Sequence, residues 1–166
     1  MRILGIDPGT ATTGWAILER IDKDFIVHKI DLIETDKDTS PGKRLQHIVQ
    51  HLNVIIEKYK PEIMVIEKIF FARNAKTVIR VGQAQGVMIY SASLNGIETV
   101  EIAPGHIKKI VTGSGRADKK MIQQHLRKIF GAKIRSKAKK KTHFDNAADA
   151  LAIAYTYAVS LTEGGE

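Results

Sequence analysis

A chain of 166 residues, 43% hydrophobic and 27% charged, has the size and composition of one globular domain with a real core. It contains no cysteine, which excludes disulfides, thiol nucleophiles and thiolate metal sites, and no apolar stretch of bilayer-spanning length. A net charge of +8 and a pI near 9.7 favour a polyanionic partner, either nucleic acid or acidic lipid, although solubility alone also explains a basic surface. Asp7 places a carboxylate where a signal peptide would still be apolar, so a cytoplasmic protein is expected.

Residues 1–6 and 13–19 read as short strands rich in Ile, Leu and Trp, joined by a Pro/Gly/Thr turn over 7–13. Residues 25–35 alternate loosely and predict a third strand. From Pro41 the pattern becomes helical: Leu45, Ile48, Val49, Leu52, Ile55, Ile56 and Tyr59 recur on one face, and Pro61 closes the segment. Ile63-Met64-Val65-Ile66 is the continuous apolar run of a buried central strand, ending at Glu67. A long helix over 73–95, with Gly82 and Gly86 four apart, and a strand over 97–102 follow. The last third predicts helices over 104–112, 118–130 and 145–161, and the lysine-rich 133–143 reads as an exposed, mobile loop. There is no internal repeat. Strands followed by strands alternating with helices predict an α/β layered domain with a mixed sheet over 1–161, and a short tail at 162–166.

Three acids stand where this architecture makes them unusual. Asp7 ends the first strand, Glu67 ends the buried strand, and Asp149 lies near the start of the last helix. A carboxylate directly after core residues must leave the strand end or be paired, and strand ends of α/β sheets are where ligands bind. Asp145, Asn146 and Asp149 lie about one helical turn apart and share a face, among alanines small enough for close packing. Taken singly, Asp7 suits an Asx-turn, Glu67 a paired strand-end charge and Asp145 an N-cap. Their joint occurrence points instead to a hard-oxygen site of the kind Mg2+ or Mn2+ prefers. Two such ions about 4 Å apart activate a water and stabilise the leaving oxygen of a phosphodiester without any protein nucleophile.

The motifs themselves have a precedent. Ile3-Leu4-Gly5-Ile6-Asp7-Pro8-Gly9-Thr10 with Thr13-Gly14 resembles the opening signature of the RuvC family of Holliday-junction resolvases. Glu67-Lys68-Ile69-Phe70-Phe71-Ala72-Arg73-Asn74 followed by Gly82-Gln83-Ala84-Gln85-Gly86 is similar to its second block. Gly113-Ser114-Gly115-Arg116-Ala117-Asp118-Lys119 resembles the third, and Ala147-Ala148-Asp149-Ala150-Leu151-Ala152-Ile153-Ala154 the fourth. The resemblance spans nearly the whole chain. It implies an RNase H-like fold, a five-stranded mixed sheet flanked by helices, in a homodimer that nicks four-way junction DNA symmetrically with two Mg2+ ions (Mn2+ substituting) per site. It also implies service to DNA recombination and repair beside a branch-migration complex of the RuvA and RuvB type. Asp7, Glu67 and Asp149 match three of the family's four catalytic acids. The fourth position, three residues before Asp149, is Asn146 here. An amide offers one neutral oxygen, so metal affinity should fall and the chain should cut poorly, unless Asp145 substitutes from the same face or the protein tolerates Asn; a residue changed to Asn to trap an inactive form is the third alternative.

Phe70 and Phe71 follow Glu67 closely and suit either core packing or a wedge between DNA bases; the resemblance favours the wedge, more for Phe70. Arg73, Lys76, Arg80, Lys108, Lys109, Arg116, Lys119 and Lys120 supply positive charge on flanking elements, for phosphate contact or as solvated faces. Among them, Lys108 and Lys119 match basic residues that the family uses near its site. Of the six histidines, only His47 and His51 have helical i,i+4 spacing, and they read as surface residues; His143 could join the site if its loop folds inward. Gly82, Ala84 and Gly86 make the 73–95 helix a candidate dimer contact, or a close fit to its own sheet. The strongest rival is the phosphate loop of actin-like sugar kinases and ATPases, which Gly5-Ile6-Asp7-Pro8-Gly9-Thr10 also resembles, but those enzymes use two such domains. A junction-binding protein without cleavage, and a related nuclease acting on RNA or on differently branched nucleic acids, also fit these residues.

Overall fold

The computed structural model describes residues 1–69, 75–131 and 141–163, with side chains described over 1–69, 75–131 and 146–161. Strands β1 (Arg2–Asp7), β2 (Thr12–Ile21) and β3 (Asp24–Glu34) precede helix α1 (Pro41–Tyr59). Strand β4 (Ile63–Glu67), helix α2 (Ala75–Leu94) and strand β5 (Glu98–Ile102) follow. Helices α3 (Pro104–Thr112), α4 (Lys119–Phe130) and α5 (Lys141–Glu163) complete the chain. The predicted mixed sheet is present, in the order β3-β2-β1-β4-β5. The β1–β2 and β2–β3 pairs are antiparallel, while β4 lies parallel to both β1 and β5. The antiparallel half follows from short turns, and the parallel half from the helical crossovers α1 and α2.

Both faces of the central strands are covered, which is why β1 and β4 read as uninterrupted apolar runs. Leu4, Ile6, Met64 and Ile66 face α1 and α2, packing on Ile48, Leu52, Ala84 and Met88. Ile3, Ile63 and Val65 face the other way, into a core shared with α3, α4 and α5. Helix α1 begins with Pro41 in its first turn and ends in a left-handed Lys60 (φ 48°), just before Pro61. Helix α4 is capped by Asp118, whose side chain accepts a hydrogen bond from the Met121 amide at 2.8 Å.

The last helix departs from the expectation. It begins at Lys141 rather than at 145, so Asp145 lies within the helix and is no N-cap, and the last residues of the lysine-rich segment are helical. Nothing in Lys141-Thr142-His143-Phe144 breaks a helix, and the basic composition concealed this. Residues 132–140 lie outside the described residues. At its other end α5 runs to Glu163, into the segment read as a tail.

Helix α5 lies very close to the sheet. A Cβ on Gly5 would fall 2.2 Å from the Ala150 carbonyl oxygen, and one on Gly14 would fall 2.1 Å from that of Asn146. Both neighbours are backbone and cannot move aside. Gly14→Ala should therefore destabilise the fold by about 2–3 kcal/mol, whereas Gly42→Ala, with open space around it in α1, should stabilise by up to ~1 kcal/mol. Denaturant unfolding of the two variants checks the contrast.

Candidate active site

The parallel register Ile6↔Ile66 carries Asp7 and Glu67 to adjacent strand ends. Side chains alternate along a strand, so Asp7 follows Ile3 and Gly5, and Glu67 follows Ile63 and Val65, onto the face covered by α5. Asp149 reaches the same place from above because α5 crosses β2 at Gly14 and β1 at Gly5. The three acids line one open cleft of about 280 Å³ with Lys108 of α3 and Lys119 of α4. Its apolar wall includes Ile107 and Ile122.

Crowding three carboxylates in a half-buried cleft raises the cost of ionising them. Burial, then the charges of Asp149 and Glu67, push Asp7 up from its ordinary 3.8 to about 7, against the pull of Lys119. Burial and Asp149 also raise Glu67, opposed by Lys119 and Lys108. Lys119 donates from Nζ to Asp149 Oδ2 at 2.7 Å. Burial lowers the Lys119 pKa, but the hydrogen bond and charge of Asp149 outweigh it, and the ammonium is held above its usual range.

The strand-end turn after Asp7 is tightly built. Thr13, itself buried, donates from its hydroxyl to the Gly9 carbonyl at 2.7 Å. A Cβ on Gly9 would meet the Thr12 carbonyl oxygen at 2.3 Å, so the turn closes only with glycine there.

The donor chemistry suits a divalent cation. Three carboxylates from three elements converge, their mutual repulsion is relieved by positive charge, and the donors are hard oxygens. One ammonium already occupies an oxygen of Asp149. Among the described residues no three acidic or imidazole groups are yet drawn together closely enough to ligate a single ion.

The other expected residues divide into three sets. Lys109, Arg116 and Lys120 are exposed on or between α3 and α4, beside Lys108 and Lys119, while Lys76 and Arg80 are exposed on α2. Asn146 is half-buried on α5, one turn before Asp149, but does not line the cleft. Phe70, Phe71 and Arg73 lie outside the described residues, as do the side chains of Asp145 and His143. His47 and His51 stack on α1 with ring centroids 4.0 Å apart, and α1 covers the opposite sheet face. Sequence reading had missed the Lys119–Asp149 pair, since the partners are 30 residues apart. It also missed an apolar hollow of about 190 Å³ beside Glu67, formed by Pro8, Ile69, Val78 and Val81. The only sequence signal for it was apolar residues flanking the acid.

A mixed sheet in this order, with acids at the adjacent ends of β1 and β4 and a third on the last helix, is an RNase H-like domain with a candidate nuclease site. Comparison with known proteins narrows the class. Residues 3–157 match the family model described as crossover junction endodeoxyribonuclease RuvC. A protein of that description from Carboxydothermus hydrogenoformans is 43% identical over 155 residues, 93% of this chain and 94% of the relative. One from Fusobacterium nucleatum is 40% identical over 161 residues, 97% of this chain and 82% of the relative. Among solved structures, Thermus thermophilus RuvC in complex with Holliday junction substrate superposes with a TM-score of 0.87. It has 25% identity, and the match covers 99% of this chain and 96% of that one. The yeast mitochondrial Holliday junction resolvase Ydc2 shares the fold, with a TM-score of 0.68 at 17% identity over 95% of this chain and 78% of its own. The chain belongs to the RuvC family of crossover junction endodeoxyribonucleases.

The raised Asp7 has a thermodynamic consequence without metal. Between pH 3.8 and about 7 the folded protein keeps a proton that the unfolded chain has lost, so stability falls as pH rises through that interval. In the absence of divalent cations, Asp7→Asn should raise the unfolding free energy at pH 8 by about 1–3 kcal/mol. The gain should shrink towards pH 4, as paired denaturation curves will measure.

Proposed function

We propose that this protein is a crossover junction endodeoxyribonuclease: a homodimer that resolves four-way DNA junctions by symmetric, metal-dependent hydrolytic nicks during recombination and repair. The observation that carries the reading is the convergence of Asp7, Glu67 and Asp149 in a cleft that also contains Lys108 and Lys119. Family membership supports it, as does the likeness to a structure described as bound to Holliday junction substrate.

Asp7, Glu67 and Asp149 would hold Mg2+ or Mn2+, with Asn146 and Asp145 as flanking candidates on α5. A bound pair of ions supplies a nucleophilic water at neutral pH and charge neutralisation at the leaving oxygen. The protein's own contribution is positional and electrostatic. The strand ends fix two carboxylates, α5 fixes the third, and the low-dielectric wall of the cleft keeps their field strong. Lys108 and Lys119 offer ammonium groups to phosphate oxygens at the cleft, while Lys109, Arg116, Lys120, Lys76 and Arg80 extend the positive surface along the duplex arms. Arg73 is assigned to the same surface, and Phe70 and Phe71 to opening the stack at the branch point. Action on the chromosome implies a cytoplasmic protein, working beside a branch-migration complex of the RuvA and RuvB type.

The dimer contact is assigned to α2. Ala84 packs into the protein's own core, but Ile79, Tyr90 and Leu94 are 61%, 62% and 67% exposed. They follow one another at near-helical spacing along the outer face, with Gly86 open between them. Such an apolar stripe suits a second copy of the same helix. The double variant Ile79→Glu, Tyr90→Glu should sediment as a folded monomer and lose paired nicking; an unchanged dimer removes α2 from the interface.

Incubation of a synthetic mobile four-way junction with the protein and Mg2+ or Mn2+ should yield paired nicks in strands of like polarity. Asp149→Asn should reduce the rate by roughly a hundredfold or more. Asn146→Asp should cut faster than the unsubstituted protein, because it restores a charged ligand position. Equal rates would remove Asn146 from the site, and junction binding without nicks in both proteins would favour a binding role alone.

A further inference from the structure

A line of hydrogen bonds runs from α1 to the turn behind Asp7, and the proposed reaction makes no use of it. The β1–β2 ladder ends at Asp7↔Gly14, and hydrogen bonds from Thr13 and Thr35 hold the turn between the two strands. Thr13 fixes the Gly9 carbonyl. Thr35, just past the end of β3, fixes the next two. Its hydroxyl donates to the Thr10 carbonyl at 2.5 Å, and its amide donates to the Ala11 carbonyl at 3.0 Å. Arg44, in the first turn of α1, donates from Nε to the Thr35 hydroxyl at 2.8 Å.

The direction of this chain is forced. A guanidinium only donates, so its Nε–H occupies a lone pair of Thr35 and leaves the single hydroxyl proton for the Thr10 carbonyl. Both bonds then point towards the turn, and each polarises the next. Arg44 packs on the α1 side of β3, yet its effect is delivered three residues beyond Asp7. Holding α1 against β3 would require an attachment to β3 alone; the relay continues past β3 into the catalytic turn.

We propose that Arg44 is a positioning residue of the nuclease site, acting through Thr35 to set the turn behind Asp7 and thereby the affinity of the carboxylate cluster for a divalent cation. The inference rests on the nuclease reading, in which those carboxylates bind the cation.

The test measures Mn2+ binding to the DNA-free protein, from the electron paramagnetic resonance signal of free Mn2+, for Arg44→Met, Thr35→Val and Thr35→Ser. Arg44→Met and Thr35→Val should weaken Mn2+ binding about tenfold and shift the amide resonances of Thr10 and Ala11. Both should leave junction affinity without metal at its original value. Thr35→Ser, which keeps the hydroxyl, should bind Mn2+ as the unsubstituted protein does. Should one variant fail to fold, the other interrupts the same relay. Unchanged Mn2+ affinity in folded Arg44→Met or Thr35→Val would overturn the proposal alone, as would equal losses in Thr35→Ser and Thr35→Val. Failure of the unsubstituted protein to bind Mn2+ would overturn the nuclease reading together with it.

Discussion

The backbone contact between α5 and the first two strands is the constraint from which the rest of the molecule follows. Gly5 and Gly14 present no side chain, so carbonyl oxygens of the helix occupy space that a Cβ would otherwise fill. Alanines at 147, 148, 150, 152 and 154 keep the contact shallow along the whole crossing. A larger residue at either glycine would lift the helix, and Asp149 would rise away from the strand ends with it. The apolar core of this face, the placement of α3 and α4 against α5, and the meeting of the three acids all depend on that one close approach.

Proximity has an electrostatic cost that the surroundings partly offset. Burial itself, and then repulsion from Asp149 and Glu67, raises the proton affinity of Asp7 until it titrates at about 7. Lys119 and Lys108 lower the charge density without filling the cleft. Such a site is destabilised as it stands and gains whenever positive charge enters it, so its fold and its chemistry oppose one another. The stability comes instead from the two apolar layers, one of which supplies Ile107 and Ile122 to the wall of the cleft.

Much of this was legible in the sequence. The run Ile63–Ile66 announced a buried central strand because burial on both faces leaves no room for alternation. The acids at its end and at the end of β1 stood out because apolar runs seldom finish on a carboxylate. Pairing those two strands directly could not be read, since a five-residue strand carries no mark of its neighbour. The start of α5 was misplaced because lysine-rich composition suggests a solvated loop as readily as an exposed helical turn. The Lys119–Asp149 pair and the Arg44–Thr35–Thr10 relay were invisible for another reason: each joins residues that meet only through tertiary packing. Asn146 stands out in the sequence as the departure from the acidic pattern, but the seating of its backbone carbonyl oxygen against Gly14 could not be read there.

The acids of the cleft are drawn from residue 7, residue 67 and residue 149, near the beginning, the middle and the end of the chain. The strand-borne pair, Asp7 and Glu67, gains its third member only when α5 docks on Gly5 and Gly14. Closure of the charge cluster therefore reports the docking of that helix, and a partly folded chain holds an incomplete set of carboxylates.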